Sequence, residues 1–108
     1  MSVTNKALFV IERNLHRDLT LDQIAEYCGV SRFHLAHAFG ESTGLSVMEY
    51  LRGRRLTEAA YALASGADSI LAVALDSRYA SHEAFSRAFR AQFGKPPRRC
   101  ANPNPSKG

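Results

Sequence analysis

The amino-acid sequence predicts an all-α protein in which two copies of one short helical pattern lie on either side of a long helix. Apolar residues recur at spacings of three and four along most of the chain, as they do on one face of a helix. A Ser or Thr that can cap a helix precedes five of these segments. The segment before the long helix resembles the segment after it, so we predict a duplicated architecture.

The long helix is predicted from Ser46 to Ser65, a length of about 30 Å at about 1.5 Å per residue. Ser46 and Glu49 fit a capping box, and Gly66 stands where a C-terminal cap requires positive φ. One predicted stripe along this helix comprises Val47, Tyr50, Leu51, Arg54, Thr57, Glu58, Tyr61 and Ala62. Further buried positions are predicted at Met48, Leu56, Ala59, Ala60 and Leu63. Glu58 lies four residues after Arg54 and three after Arg55, so we expect it to pair with one of them.

The duplication aligns residues 21–46 with residues 70–96. Ala25 falls on Ala74, and Ser31 falls on Ser81. The further matched pairs are Leu35 with Phe85, Ala38 with Ala88, Phe39 with Phe89, and Gly44 with Gly94. Each copy has a short helix, a tight turn and a second helix preceded by Ser. This is the pattern of a helix-turn-helix, whose second helix enters a DNA groove.

We therefore predict two helix-turn-helix subdomains joined by a long central helix, with about seven helices in all. The predicted boundaries are 1–45 for the first subdomain, 46–66 for the connecting helix, 67–101 for the second subdomain and 102–108 for a disordered tail. A chain of 108 residues has room for one domain, or for two very small ones sharing a helix.

In the first copy, helices are predicted over residues 4–15 and 21–28, the second opened by a capping box of Thr20 and Gln23. Gly29 supplies the left-handed turn residue. Ser31 then caps the first candidate recognition helix. Its outward residues are predicted to be Arg32, Phe33, Ala36, His37 and Gly40.

Two aromatic residues in this helix have open interpretations. Phe33 either touches a thymine methyl or a sugar, or is tucked against its own domain. His34 lies at the edge of the outward face, and we expect it to be a half-buried histidine rather than a base reader.

In the second copy, Ser69 caps a helix over residues 70–77, and Arg78 stands where the first copy has Gly29. A positive φ is therefore expected at Arg78, at a cost of about 1 kcal/mol. Ser81 caps the second candidate recognition helix. Its outward residues are His82, Glu83, Ser86, Arg87 and Arg90, a more polar face than the first helix offers. Pro97 suits the first turn of a small last helix.

Composition limits the function classes. The formal net charge is +4 and the pI about 9.4, and Arg supplies 11 of the 14 basic residues. Arg suits phosphate and base edges because its planar fork donates two hydrogen bonds. Cys28 and Cys100 give neither a disulfide framework nor a metal-ligand spacing, so no metal ion or cofactor is predicted. There is no signal peptide and no membrane-length apolar run, and we expect a cytoplasmic protein without a membrane partner.

An enzyme is not expected. No nucleophile lies beside a plausible base in a motif such as G-x-S-x-G. A helical domain of this size also offers little room for a substrate pocket. We therefore predict no catalytic residues.

These motifs resemble the DNA-binding domain of the AraC/XylS transcription regulators, and the resemblance runs from Ala7 to Cys100. Its most specific block is residues 85–90, followed by Phe93, Gly94 and Pro97. The other residues that carry it are Leu19, Thr20, Leu21, Ile24, Ala25, Ser31, Leu35, Phe39, Thr43, Gly44, Tyr50, Leu51, Arg55, Leu56 and Ala59.

The resemblance implies seven helices, sequence-specific binding of promoter DNA, and usually activation through contact with RNA polymerase. By position, the implied recognition residues are Arg32, Phe33, Ala36 and His37 in the first copy and His82, Glu83, Ser86 and Arg87 in the second. Ala36 and His37 stand where the family commonly has a polar residue and an Arg. The domain begins near residue 1, which resembles the stand-alone members, or a member with a domain following.

Two hypotheses remain. The first is a regulator that binds double-stranded DNA as a monomer, with two recognition helices in successive major grooves about 34 Å apart. The second is a helical protein-interaction module that has lost specific DNA binding, which the sparse first face favours. A basic cluster near the second recognition helix favours the first hypothesis: Arg87, Arg90, Lys95, Arg98 and Arg99.

Overall fold

A computed structural model describes residues 1–67 and 69–99, and the all-α prediction is confirmed. Within these residues there are six helices. They are α1 (Val3–Glu12), α2 (Leu21–Cys28), α3 (Arg32–Thr43), α4 (Val47–Ala64), α5 (Ile70–Asp76) and α6 (His82–Phe93). Residues 96–99 are not helical, so the small last helix predicted at Pro97 is not seen in the described chain, although Pro97 itself is buried. Cys100 and the predicted tail 102–108 lie outside the described residues.

The chain divides into two compact units, and the division falls inside α4, between Arg54 and Arg55. We call residues 1–54 the first unit and the chain from Arg55 onward the second unit. The core of the first unit comprises Ala7, Ile11, Leu15, Ile24, Ala25, Cys28, Leu35, Phe39, Val47 and Leu51. The core of the second comprises Leu56, Ala59, Leu63, Val73, Ala74, Phe85 and Phe89.

Within the first unit, α1, α2 and α3 pack against one another. The buried Thr4 hydroxyl lies 3.2 Å from the carbonyl oxygen of Ala38 and 3.1 Å from Ser42 Oγ, which links α1 to α3. Cys28 Sγ lies 3.8 Å from the carbonyl oxygen of Val3, linking α2 to α1. Burial raises the pKa of the Cys28 thiol, as expected for a small core residue.

The helix α1 ends three residues earlier than predicted. The N–H of Asn14 donates to the carbonyl oxygen of Ile11 over 3.1 Å, and its side-chain amide donates to that of Val10 over 2.7 Å. These bonds close a turn after Glu12, where α1 ends. Leu15 is buried nonetheless, because the turn carries its side chain into the core.

Arg54 binds a carboxylate that the sequence did not indicate. Its Nε and Nη2 donate to the two carboxylate oxygens of Glu12 over 2.6 and 2.9 Å, and Glu12 lies 42 residues earlier in the chain. The hydrogen bonds and positive charge of Arg54 lower the pKa of Glu12. Burial, followed by the charge of Glu12, raises the pKa of the neighbouring Tyr50. This contact joins α1 to α4 inside the first unit, and the pairing of Glu58 with Arg54 or Arg55 stays a prediction.

The capping box predicted at the start of α4 is confirmed. Ser46 N–H donates to Glu49 Oε1 over 2.9 Å, and Glu49 N–H donates to Ser46 Oγ over 3.0 Å. The predicted stripe along α4 is wrong at Tyr61, whose exposed fraction is 65%. Leu56, Ala59 and Leu63, predicted as further buried positions of this helix, are buried. Tyr61 lies two residues, about 200° around the helix, from both Ala59 and Leu63, so it faces away from them.

The two helix-turn-helix turns share one hydrogen-bond pattern. In the first unit, Gly29 N–H donates to Glu26 and Val30 N–H donates to Ala25, each over 3.1 Å. In the second unit, the equivalent donors are Arg78 and Tyr79, bonded to the carbonyl oxygens of Leu75 and Ala74 over 3.0 Å. The positive φ predicted at Gly29 and at Arg78 is confirmed, with values of 73° and 69°.

Candidate nucleic-acid interface

The first candidate recognition helix, α3, is oriented by its cap and by two core residues. Ser31 Oγ accepts a hydrogen bond from the N–H of His34 over 3.1 Å, and Gly44 ends the helix at a φ of 78°. Leu35 and Phe39 are fully buried. Because the buried residues recur every four positions, the opposite side of α3 must face solvent.

Of the residues predicted to face outward from α3, all but the partly buried Gly40 are exposed. Arg32, Ala36 and His37 are exposed, and the exposed fraction of Phe33 is 76%. The interpretation of Phe33 as tucked against its own domain is therefore wrong. His34 is exposed, so the prediction of a half-buried histidine is also wrong: the cap at Ser31 uses its backbone N–H and leaves the ring outside the core.

Two of these side chains lie near carboxylates. Arg32 Nη1 lies 3.7 Å from Asp22 Oδ2 on α2, and its guanidinium carbon lies 5.5 Å from the centre of the Phe33 ring. His37 Nε2 lies 3.6 Å from Glu41 Oε2, one turn further along α3. Both pairs are exposed and contribute little to stability. They do reduce the positive potential that α3 offers to a phosphate backbone.

These carboxylates were not identified from the sequence as part of the site. Glu41 was detectable, because it lies four residues after His37 on the same helix. Asp22 was not, because it lies on another helix and only the packing of α2 against α3 brings it to Arg32.

The second candidate recognition helix, α6, is built in the same way. Ser81 Oγ accepts from the N–H of Ala84 over 3.1 Å, and Gly94 ends the helix at a φ of 79°. Phe85 and Phe89 are buried, with ring centres 5.6 Å apart. Every predicted outward residue except the partly buried Ser86 is exposed, namely His82, Glu83, Arg87 and Arg90.

The outer face of α6 carries two arginines for which the described residues give no ion pair. Arg87 and Arg90 follow Ser81 by six and nine residues, on the side opposite Phe85 and Phe89. Ser86 Oγ lies 3.5 Å from His82 Nδ1 on the same face. This arrangement of exposed guanidinium and imidazole groups beside a partly buried hydroxyl suits hydrogen bonding to base edges and phosphates.

Other kinds of site find no support in the described part of the chain. Among residues 1–67 and 69–99, no three His, Cys, Asp or Glu side chains are grouped so as to hold a metal ion. In the same residues, no helix has the length and apolar character needed to cross a membrane.

Comparison with known proteins identifies the family. A family described as a helix-turn-helix domain matches residues 24–102. The crystal structure of an AraC-type transcriptional regulator from Chromobacterium violaceum superposes with a TM-score of 0.84 at 30% identity, covering 88% of this chain and 85% of that one. The chain belongs to the AraC-type helix-turn-helix family.

Curated members of this family are similar over most of the present sequence. The Right origin-binding protein of Escherichia coli (strain K12) is 40% identical over 90 residues, which is 83% of this chain but 31% of that protein. The chain thus spans about a third of the length of that relative. The HTH-type transcriptional activator AarP of Providencia stuartii is 34% identical over 96 residues, covering 89% of this chain and 71% of AarP.

Proposed function

We propose that this chain binds double-stranded promoter DNA sequence-specifically and regulates transcription. The observation that carries the proposal is the outer face of α6, where Arg87 and Arg90 are exposed on a helix fixed by a Ser cap and two buried phenylalanines. Membership of a family of transcription regulators supports the same conclusion.

Each exposed residue then has a role set by its chemistry. Arg87 donates two hydrogen bonds to guanine O6 and N7, or contacts an adjacent phosphate. His82, Glu83 and Ser86 hydrogen-bond base edges beside it, and Arg90 holds the backbone. On α3, Arg32 contacts phosphate and Phe33 packs on a thymine methyl or a sugar, while Ala36 and His37 line the groove with little capacity for direct reading.

The mode of binding is the finer part of the proposal. The chain binds as a monomer, with α3 and α6 in successive major grooves, and it activates transcription through contact with RNA polymerase. The support is that one chain carries two helix-turn-helix units of the same construction, so a second copy is not needed to supply a second recognition helix. Some bending of the duplex is expected, at a cost of about 1–6 kcal/mol.

Selection of bound sequences from a random duplex pool tests the proposal. A DNA-binding regulator enriches a defined site, and its affinity falls steeply with salt because phosphate contacts release counterions. If no sequence is enriched and binding is absent at low salt, the chain is instead a protein-interaction module, as the sparse outer face of α3 would suggest.

Spacing within the selected site then tests the mode of binding. Inserting about half a helical turn between the two half-sites should reduce affinity to that of one unit alone. Inserting a full turn should not restore the affinity if the distance between the two recognition helices of one chain is fixed. Unchanged affinity after both insertions would show that a single helix reads the DNA.

A further inference from the structure

The first unit has a second surface feature, a groove between α1 and α2 with a volume of about 490 Å³. Two aromatic rings and three cationic side chains line it, namely Phe9, Tyr27, Lys6, Arg13 and Arg17. We call this feature the α1–α2 groove.

The rings in the α1–α2 groove are unusually open to solvent. Phe9 is 55% exposed and Tyr27 is 70% exposed. Single exposed aromatic residues are ordinary, but two that share a concave surface with cations are typical of a binding site. The guanidinium carbon of Arg13 lies over the Phe9 ring, 5.1 Å from its centre, so the cation is held against the ring at this surface.

The α1–α2 groove lies on a different side of α1 from α3. Thr4 is the α1 residue that contacts α3, through Ala38 and Ser42. Phe9 follows Thr4 by five residues, which places it about 140° further around the helix, since 3.6 residues make one turn. If α3 binds DNA as proposed, the groove stays open to another molecule.

We propose that the α1–α2 groove binds an acidic segment of a partner protein that carries an aromatic side chain. The lining cations attract the carboxylates of such a segment, and its ring packs between Phe9 and Tyr27. A nucleic acid strand fits less well. The adjoining pocket shares Asn14, Arg17 and Tyr27 with the groove and also includes the carboxylates of Asp18 and Glu26. A strand long enough to run on from the groove into that pocket would bring its phosphates against these carboxylates, whereas a short acidic segment can end beside Lys6 and Arg13.

The test uses a fluorescein-labelled peptide of alternating Asp and Phe between Gly-Ser flanks, with binding followed by fluorescence anisotropy. Two matched peptides carry Asn or Lys in place of Asp, and a labelled oligothymidylate tests single-stranded nucleic acid. We expect saturable binding of the Asp peptide, and binding at least about tenfold weaker for the Asn and Lys peptides and the oligonucleotide, which corresponds to the loss of about one charge-assisted contact.

Matched variants locate the binding to the groove. Tyr27→Ala and Arg13→Ala should each weaken binding of the Asp peptide about tenfold. The controls are Tyr61→Ala and Arg52→Ala, which remove an exposed ring and an exposed cation on α4 outside the groove lining, and these should leave affinity unchanged. Unfolding midpoints and affinity for promoter duplex, measured on the same variants, separate loss of the groove from loss of the fold or of the proposed DNA binding.

Three results would overturn the proposal. One is no saturable binding of the Asp peptide to the unmodified chain. Another is equal binding of the Asn peptide, which would remove the role of the cations. The third is tighter binding of the oligonucleotide, weakened by Tyr27→Ala, which would make the groove a nucleic-acid site.

Discussion

The two helix-turn-helix units have the same construction and different outer faces. The turn bonds of Gly29 and Arg78 match, and each second helix has a Ser cap, two buried large residues and a closing Gly. The residues facing outward do not match: Ala36, His37 and Gly40 in the first unit correspond to Ser86, Arg87 and Arg90 in the second. The residues that build the unit are thus separable from those that would read DNA.

The difference extends to the first helix of each unit. Asp22 and Glu26 are exposed on α2, and the residues that align with them on α5 are Leu71 and Leu75, which are also exposed. In the first unit Asp22 lies beside Arg32. In the second unit Leu71 takes the place of that acid.

The substitution with the largest expected effect tests whether the two cores unfold independently. Phe85→Ala removes a fully buried ring from the second core and should lower the free energy of unfolding by about 3–5 kcal/mol. Hydrogen exchange should report the loss of protection first in α5 and α6. Equal and simultaneous loss in α1, α2 and α3 would show that the two cores unfold as one. Leu35→Ala, at the aligned position, is the matched variant for the first core.

The next effect concerns the matched pair of outer faces. Arg87→Ala should cost about 1–3 kcal/mol in specific DNA binding if Arg87 reads a base. His37→Ala, at the aligned position, should cost less, because Glu41 already lies beside the imidazole. The measurement is affinity for the selected site and for an unrelated duplex. An equal loss of affinity for both duplexes would show that Arg87 contacts a phosphate and not a base. No loss of affinity would exclude Arg87 from the interface.

Two glycines of the first unit should respond in opposite directions to substitution by Ala. A Cβ would meet no atom within 4 Å at either Gly29 or Gly40, so backbone conformation alone decides the outcome. Gly29→Ala should destabilise by about 1 kcal/mol because its φ is positive. Gly40→Ala lies inside α3 and should stabilise by about 0.5–1 kcal/mol. Thermal unfolding of both variants checks the signs, and two changes of the same sign would contradict this account.

The smallest effect is the pH dependence of the ion pair between Glu12 and Arg54. Since the folded-state pKa of Glu12 lies below its ordinary value of 4.5, the pair stabilises the protein above that pH. This stability is lost as pH falls through the folded-state pKa. The pair is partly exposed, so the contribution should be about 1 kcal/mol or less. Unfolding measured across acidic pH should show a shallower dependence in Glu12→Gln, and an unchanged slope would rule out the pair as its source.

Local patterns predicted the helices and their caps well, because each depends on residues close in sequence. The capping boxes at Thr20 and Ser46 are examples, since each was indicated by neighbouring residues alone. The positive φ at Arg78 was indicated by the duplication, which aligns Arg78 with Gly29. Contacts between residues far apart in the sequence were not indicated. The carboxylate that binds Arg54 comes from α1, 42 residues earlier in the chain. The α1–α2 groove was missed for the same reason.

The central claim is that the second unit contributes more base discrimination than the first. The direct measurement is affinity for a complete set of single base-pair changes across the selected site, made with the unmodified chain and with Arg32→Ala, Phe33→Ala and Arg87→Ala. We expect the base-pair changes that reduce affinity most to lie in one half of the site. In the Arg87→Ala variant, we expect the changes in that half to have a smaller effect on affinity. If Arg32→Ala or Phe33→Ala relaxes specificity more than Arg87→Ala does, the first unit is the principal reader and the claim is wrong.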